Sequence, residues 1–509
     1  MVSVQTSYNV IPSEPTPTET LFSLCEQVKL RTHAPLLFVY KPLLHNKFES
    51  SSSSSTFNLT VQNLKNSLSQ VLTIYYPLAG RLSLINERGQ WEIHCNAKGA
   101  KFLGAYCEKS LDDLHDFVPT QLVSHLIPSI DYDVPIEEIP MLAVQLTRFT
   151  CGGYALGVAL CRAAIDGSST VRFMNMWAKL ARGVGLLDRK EITPCHDRTA
   201  LDSRKKESCF DHAEFYPPPT WVGKLIRDRA VVVVEVVKLT TEQIKKLKKK
   251  ASYELCWDQS SDIRTSQDIW TNSNSNEAGS QGRQSSKFVS KNVANSFASA
   301  PYSTFEVVAG HLWRCASKAR YEGNGEQPTR LSTLVNCKNR MKPPLPSDFA
   351  GNAVFPTVTP TCSFNDIMNK PLSYAAGNVR EALERVTDEF VSSALDHIAK
   401  EKDMDLVRYN IHYPAPSVMH MHKGPFKGNP NLCVVSWMNF AFKVADFGFG
   451  EPVHFGPGFM DSEGKAFVIN NANGDGVIVA IALDAYHMDA FKKLFYDEDM
   501  EEVFPASKL

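Results

Sequence analysis

The stretch that decides the fold of this chain is residues 156–169, which read LGVALCRAAIDGSS. The apolar run that ends at Cys161 predicts a buried strand, and Asp166-Gly167 predicts a sharp turn after it. A helix containing Trp177 is expected to follow. Arg162 stands at the end of the strand, and its guanidinium stays protonated and offers no acceptor lone pair. The stretch therefore predicts a strand–turn–helix unit with a permanent cation at its turn.

Length, composition and charge exclude several classes of protein. The chain has 509 residues, 43% of them hydrophobic, which predicts a large core and two or more domains. A formal net charge of -1 provides no basic excess for nucleic acid or an anionic membrane. The longest apolar runs, such as 230–234 and 477–483, suit buried strands and are too short to span a bilayer. We therefore expect neither a nucleic-acid partner nor a membrane segment.

The cysteines and both ends of the chain bear on the compartment. Twelve cysteines are scattered from Cys25 to Cys433 without C-x-x-C or zinc spacing, so we expect reduced thiols and no metal site. The first residues lack the basic and apolar regions of a secretory signal. The last three, Ser507-Lys508-Leu509, match the peroxisomal import tripeptide, which predicts a peroxisomal protein read by the import receptor. The cytoplasm is the alternative location.

Helix and strand signals alternate along the chain. Residues 50–55 are all serine and predict a flexible loop, after which 61–72 has helical apolar spacing. Strands are predicted at 142–149 and 231–239, and Thr240 with Gln243 has the spacing of a capping box. Residues 303–314 predict a second capped helix.

A change of composition interrupts the second half. From 252 to 300 the chain is dominated by Ser, Asn, Gln and Asp, and such a segment cannot bury enough apolar surface to order itself. We interpret it as a disordered insertion. The predicted domains are residues 1–220, including a surface crossover, and residues 221–509, which hold the insertion.

Several motifs resemble those of the plant BAHD acyl-CoA-dependent acyltransferases. The family's H-x-x-x-D-G signature is matched by RAAIDG at 162–167, and its D-F-G-W-G signature by DFGFG at 446–450. YPLAGR at 76–81 and GNAV at 351–354 follow the family's order. The resemblance covers nearly the whole chain apart from the insertion. The opening at 11–17 most resembles the spermidine hydroxycinnamoyltransferase branch.

The resemblance implies an α/β fold of two chloramphenicol-acetyltransferase-like domains with a channel between them. In the family the signature histidine is the general base, and acyl-CoA and the acceptor enter from opposite mouths. The resemblance also implies a monomer without a bound cofactor, with acyl-CoA as a cosubstrate. Because Arg162 occupies the place of the histidine, the usual base is missing.

The resemblance assigns further residues. Asp166 matches the signature aspartate, which holds the loop and pairs with an arginine, for which Arg340 is the candidate. Asp446, Phe447, Gly448, Phe449 and Gly450 match the second signature, which is structural, with Phe449 in the place of its tryptophan. His33 matches a position near the channel and is the best substitute imidazole. His420 and His422 are weaker candidates.

Arg162 leaves three interpretations open. It can mark a decayed site, it can be a repurposed cation that binds a carboxylate, phosphate or oxyanion, or another residue can supply the base. Three functions follow. The first is acyl-CoA-dependent N-acyl transfer to an amine or polyamine in plant specialised or alkaloid metabolism. The second is CoA-independent condensation, cyclisation or elimination on an amine or imine. The third is a non-catalytic scaffold.

Overall fold

The computed structural model describes most of the chain, with gaps. The described residues are 1–42, 53–119, 121–184, 193–204, 210–222, 231–252, 301–412, 429–440, 445–460, 462–471 and 473–497. The insertion predicted at 252–300 therefore lies outside them from residue 253 onward, as do His420, His422 and Ser507-Lys508-Leu509. Among the described residues, no helix combines the length and apolarity needed to cross a membrane.

Seventeen strands are described. In chain order they are β1 (Val2–Val10), β2 (Thr20–Leu21), β3 (His33–Tyr40), β4 (Arg81–Leu84), β5 (Trp91–His94), β6 (Ala100–Cys107), β7 (Leu142–Phe149), β8 (Tyr154–Cys161), β9 (Val232–Leu239), β10 (Pro328–Thr329), β11 (Leu331–Asn336), β12 (Val354–Val358), β13 (Cys362–Ser363), β14 (Leu432–Ser436), β15 (His454–Pro457), β16 (Lys465–Asn470) and β17 (Val477–Asp484).

The described α-helices surround these strands. They are α1 (Leu24–Gln27), α2 (Ser53–Ile74), α3 (Gln121–Ser124), α4 (Gly167–Ala181), α5 (241–252), α6 (Thr304–Ala319), α7 (Phe364–Asn369), α8 (Leu372–Glu384), α9 (Asp388–Lys400), α10 (Met404–His412) and α11 (Ala485–Asp497). The α/β class that the resemblance implies is confirmed, and the alternation of helix and strand signals agrees with it.

The first large sheet carries the unit predicted from residues 156–169. Its strand order is β1-β6-β7-β8-β3-β15, and only β6 and β7 pair in parallel. Helices α2 and α4 pack together against it, and the Trp177 indole of α4 donates to the Leu64 carbonyl of α2 at 3.2 Å. The strand β8, the turn and α4 occur where the sequence predicts them.

The second large sheet has the order β12-β11-β14-β16-β17-β9 and packs against α6, α8 and α11. Helix α6, predicted as a capped helix, begins with a capping box in which Ser303 and Glu306 satisfy each other's backbone N–H. The predicted pair Thr240 and Gln243 does the same for α5, at 2.7 and 3.2 Å.

One strand ties the two sheets together. β15 follows the second sheet's β14 in the chain, yet it pairs antiparallel with β3 at the edge of the first sheet, with Phe455 opposite Phe38. The predicted boundary at residues 220 and 221 does not anticipate this exchange. β15 is joined to the second sheet through the chain and to the first sheet through backbone hydrogen bonds. It therefore links the two sheets.

The structure corrects part of the prediction made for the serine run at residues 50–55. Residues 53–55 belong to helix α2 and not to the flexible loop predicted there. The physical reason is cooperativity, since each residue added to an existing helix gains a hydrogen bond. Phe57 and Val61 anchor the helix against the first sheet, and the helix extends backward from them through weak helix formers.

Gly157, in the middle of β8, tests the packing of this strand. A Cβ there would lie 1.9 Å from the Leu126 carbonyl oxygen, so backbone must move. We expect Gly157→Ala to cost about 1–3 kcal/mol of unfolding free energy, as overpacking does. Denaturant unfolding measures it. Gly377→Ala on α8 is the control, because its Cβ meets only Tyr302 Oη at 3.4 Å and alanine favours a helix. Equal stability of the two variants would contradict this account.

Candidate active site

Arg162 lies where three parts of the chain meet. It follows the last residue of β8, and its backbone N–H donates to the Thr32 carbonyl at 3.0 Å. Its own carbonyl accepts from Asn352 Nδ2 at 2.8 Å. The Arg162 side chain is half-buried and lines a cavity. These two hydrogen bonds fix the backbone of Arg162. The fixed backbone in turn limits where the guanidinium can lie in the cavity.

The cavity at Arg162 has a volume of about 190 Å³. Residues from both halves of the chain line it: Leu30, Thr32, His33, Ala34, Pro35, Tyr132, Arg162, His412, Trp437, Pro457, Phe459, Met460, Ser462, Lys465 and Phe467. Its described lining holds two basic side chains, Arg162 and Lys465, and no acidic residue. We call it the arginine cavity.

A second cavity, of about 570 Å³, adjoins it. Trp437 and Pro457 line both, and the aromatic rings of Phe117, Phe440 and Phe455 line the larger one. We call it the aromatic cavity. Two cavities that share a wall between the domains are consistent with the predicted channel.

Asp166, four residues after Arg162, caps the N-terminus of helix α4. Its Oδ1 accepts from the Ser169 N–H at 2.8 Å, and its Oδ2 accepts from the Ala353 N–H at 3.2 Å. Lys338 Nζ lies 3.0 Å from Asp166 Oδ2 and donates to Ser169 Oγ at 2.8 Å. Asp166 and Lys338 are only 4% and 8% exposed. The pair therefore joins the signature turn to the second half of the chain, and Asp166 is not among the described residues that line either cavity.

The partner predicted for Asp166 was wrong. Arg340 NH1 instead donates to the carbonyls of Leu383 and Val386, at 2.5 and 2.9 Å, near the end of α8. Lys338 stands two residues earlier. A turn closed by Arg340 N–H on the Cys337 carbonyl separates the two side chains, so only Lys338 reaches the carboxylate. Burial lowers the pKa of Lys338, and Asp166 opposes that shift.

His33 lines the arginine cavity, but both of its ring nitrogens are engaged. Nε2 lies 2.7 Å from the Pro140 carbonyl and must donate to it, because a carbonyl only accepts. Nδ1 therefore accepts, from the Tyr132 hydroxyl at 2.9 Å. Burial lowers the pKa of His33 to about 4, and the Arg162 charge adds to the shift. His33 would have to lose the Tyr132 hydrogen bond before it could act as the predicted substitute base.

His412, which the sequence did not single out, lines the same cavity. It is the last residue of α10, and its Nε2 donates to the Val28 carbonyl at 2.8 Å. Burial lowers its pKa well below 6.5, with smaller contributions from the cations of Lys465, Lys29 and Arg162. No motif marks His412, because folding alone brings α10 to the turn after β8.

Cys161 is next to Arg162 but is not exposed to the site. It is 1% exposed, and burial raises the pKa of its thiol to about 12. A thiol kept protonated in this way is a poor nucleophile. Cys161 is therefore a packed core residue, in agreement with the buried strand predicted to end there.

The second signature forms a tight loop against the first sheet. Asp446 Oδ1 accepts from the N–H groups of Gly448 and Gly450 at 2.8 Å each, and its Oδ2 accepts from Arg182 at 3.1 Å. Gly448 and Gly450 have φ of 98° and 83°, which favour glycine. These contacts support the structural role predicted for Asp446.

The two phenylalanines of this loop pack against aromatic side chains of the first sheet and helix α4. Phe447 meets the Trp177 ring edge-on at 4.7 Å, and Phe449 stacks on Tyr154 at 4.7 Å. Neither is among the described residues that line the two cavities. An aromatic body without an indole donor is thus sufficient at Phe449.

Comparisons with known proteins agree with this arrangement. A family model described as "Transferase family" matches residues 1–498. A hydroxycinnamoyl-CoA:piscidic acid hydroxycinnamoyltransferase of Actaea racemosa is 36% identical over 507 residues, covering 98% of this chain and 100% of that protein. Anthranilate N-benzoyltransferase protein 2 of Dianthus caryophyllus is 34% identical over 505 residues, covering 97% and 99%.

Solved structures share the fold. The crystal structure of vinorine synthase aligns over 96% of this chain and 96% of its own chain, with a TM-score of 0.62 at 22% identity. TRI101 of F. graminearum complexed with coenzyme A and T-2 mycotoxin covers 94% of this chain and 97% of that one, with a TM-score of 0.67 at 15% identity. The two-domain α/β fold predicted from the resemblance is confirmed.

Fold, cavities and relatives together define an acyltransferase of plant specialised metabolism. The chain belongs to the plant BAHD acyltransferase family, here represented by its hydroxycinnamoyl and benzoyl transferases.

Lys338→Met tests the buried pair. Removing one partner leaves Asp166 as an uncompensated buried charge, so we expect a loss of about 3–5 kcal/mol of unfolding free energy. Arg340→Met is the matched control, since it removes a long cation two residues away whose described hydrogen bonds go to the carbonyls of Leu383 and Val386. Its loss should be clearly smaller in the same denaturant titration. A larger loss for Arg340→Met would show that Lys338 is not the partner on which Asp166 depends.

Proposed function

We propose that this protein transfers an aromatic acyl group from acyl-CoA to an acceptor that carries a carboxylate, which Arg162 and Lys465 bind. One observation carries the proposal: the cation in the place of the signature histidine lines a cavity together with a second cation. An arginine there cannot take up a proton, but its planar donors match a carboxylate well. Arg162 is therefore assigned to binding and orienting the acceptor.

The aromatic acyl group is supported by the rings beside this cavity. Trp437 lies 4.6 Å from the Phe467 ring and 5.4 Å from the Phe455 ring, centroid to centroid. Phe440 extends this group of rings into the aromatic cavity. Its ring packs closely on Gly167, since a Cβ added to this glycine would lie 2.1 Å from the ring. Such walls favour planar aromatic groups. The printed names of the relatives, hydroxycinnamoyl and benzoyl transferases, agree with this.

Charge supports an acidic acceptor. Two like charges about 4 Å apart repel by about 1 kcal/mol in water and about 4 kcal/mol near a protein surface. A polyammonium acceptor, as the spermidine branch implies, would meet this repulsion from Arg162 and Lys465. Piscidic acid, shikimate and anthranilate, named in the relatives, are acids or their anions. An acceptor with both an amine and a carboxylate also satisfies the predicted N-acyl transfer.

The CoA-independent condensation, cyclisation or elimination considered above would use the same cation to hold an anionic amine or imine. The non-catalytic scaffold would use neither cavity. The peroxisomal location, the monomeric state and the polyamine substrate stay predictions from the sequence. All of the chemical alternatives are separated by one assay.

The assay is mass-spectrometric product profiling with thiol detection. Purified wild type receives hydroxycinnamoyl-CoA or benzoyl-CoA with anthranilate, shikimate or spermidine. In the control reactions each acceptor is given without any acyl-CoA. We expect CoA-dependent product with the acids. Arg162→Met should raise the KM for the acid about 10- to 100-fold, since a charged hydrogen bond is worth about 1.5–3 kcal/mol. Arg162→Lys, which keeps the charge and loses the planar fork, should fall between the two.

Three results would contradict the proposal. Preference for spermidine would exclude an anion site, and faster turnover by Arg162→His would show that Arg162 is merely tolerated. A product formed without CoA and lost in Arg162→His would establish the condensation or cyclisation alternative.

A further inference from the structure

We infer that His412 is the general base of the acyl transfer, replacing from the second half of the chain the histidine that the signature lacks. The inference rests on the proposed function, because it names the group that deprotonates the acceptor bound by Arg162. Three observations carry it: the tautomer of His412, its place in the arginine cavity and its rigid support.

The tautomer leaves the needed lone pair on Nδ1. Nε2 carries the proton, because it donates to the Val28 carbonyl at 2.8 Å. In the neutral ring, Nδ1 is then the acceptor. Among the described residues, no side chain or backbone group hydrogen-bonds to it, and His412 lines the cavity that Arg162 lines. His33, the other imidazole of this lining, is held at both nitrogens.

Helix α10 holds His412 against the first half of the chain. Arg408, one turn earlier and 1% exposed, donates to the Gln27 carbonyl at 2.7 Å and the Gly89 carbonyl at 2.9 Å. Asn410 Nδ2 donates to the Phe215 carbonyl at 3.0 Å. These bonds fix the end of the helix, so the imidazole is positioned before the substrate arrives.

The charges around His412 suit a neutral base that works only when the acceptor is bound. Arg162, Lys465 and Lys29 all disfavour its protonation, and burial does so more strongly. A carboxylate bound by Arg162 and Lys465 offsets two of these charges and raises the pKa of His412 toward the range in which proton transfer is efficient. The acceptor would thus strengthen the base that activates it.

Nδ1 of His412 takes the proton from the acceptor N–H or O–H while the heteroatom attacks the thioester carbonyl carbon. The tetrahedral oxyanion collapses, the C–S bond breaks, and Nδ1–H returns the proton to the CoA sulfur. The products are the amide or ester and CoA thiol, and His412 is neutral again.

His412→Gln tests this assignment. Its side-chain amide can still donate to the Val28 carbonyl, but it offers no basic nitrogen. We expect kcat to fall about 10²–10⁴-fold, the usual contribution of a general base, while the KM values for acyl-CoA and for the acid change little. In His412→Ala, added imidazole should restore part of the lost kcat.

His196→Gln is the matched control. His196 also bonds a carbonyl through its ring, that of Ile74 at 3.0 Å, and burial lowers its pKa to about 4, yet it is not among the described residues lining either cavity. It should keep the wild-type kcat per folded molecule, with folding checked by circular dichroism on all variants.

The outcomes separate the two claims. Wild-type kcat in His412→Gln overturns the base assignment and leaves the proposed transfer standing. A fall of kcat in His412→Ala that imidazole does not relieve also overturns the assignment, because it points to a structural role. A wild type that releases no CoA thiol with any donor and acceptor overturns the proposed transfer and the base together.

Discussion

The buried pair of Asp166 and Lys338 is the interaction on which the site depends. Asp166 starts helix α4 and closes the turn after β8, while Lys338 comes from the turn after β11. Each charge is costly to bury alone, and each is satisfied by the other together with backbone and serine groups. Because the pair spans the domains, it fixes Arg162 relative to the second half of the chain. The strand β15 adds a second connection between the two halves, and its Pro457 lines both cavities.

In the proposed function, Arg162 binds the acceptor, so a different residue must supply the base. The family places its base on the strand–turn unit, whereas here that place holds a cation suited to binding. We infer that His412, at the C-terminal end of α10 and in the lining of the same cavity, is that residue. Burial is the main cause of the lowered pKa of His412, and the same cations that would bind an acid add to it. Under this proposal, the charge of the bound acceptor couples its binding to the strength of the base.

The sequence predicted much of the fold. Local signals were sufficient for β8, α4, the two capping boxes and the alternation of elements, because they depend on neighbours in the chain. The helical start at residues 53–55 was missed, since tertiary packing of Phe57 and Val61 decides it. The prediction of Arg340 as the partner of Asp166 is wrong because the turn after β11, which no local signal marks, brings Lys338 to the carboxylate instead. His412 carries no motif, and only the path of α10 reveals its proximity to Arg162.

The most direct measurement is a crystal structure of the enzyme with coenzyme A and anthranilate bound. The account predicts the carboxylate within hydrogen-bond distance of the Arg162 guanidinium, with the amine nitrogen facing Nδ1 of His412. An acceptor bound with its carboxylate away from Arg162, or with its amine closer to His33 than to His412, would contradict the account.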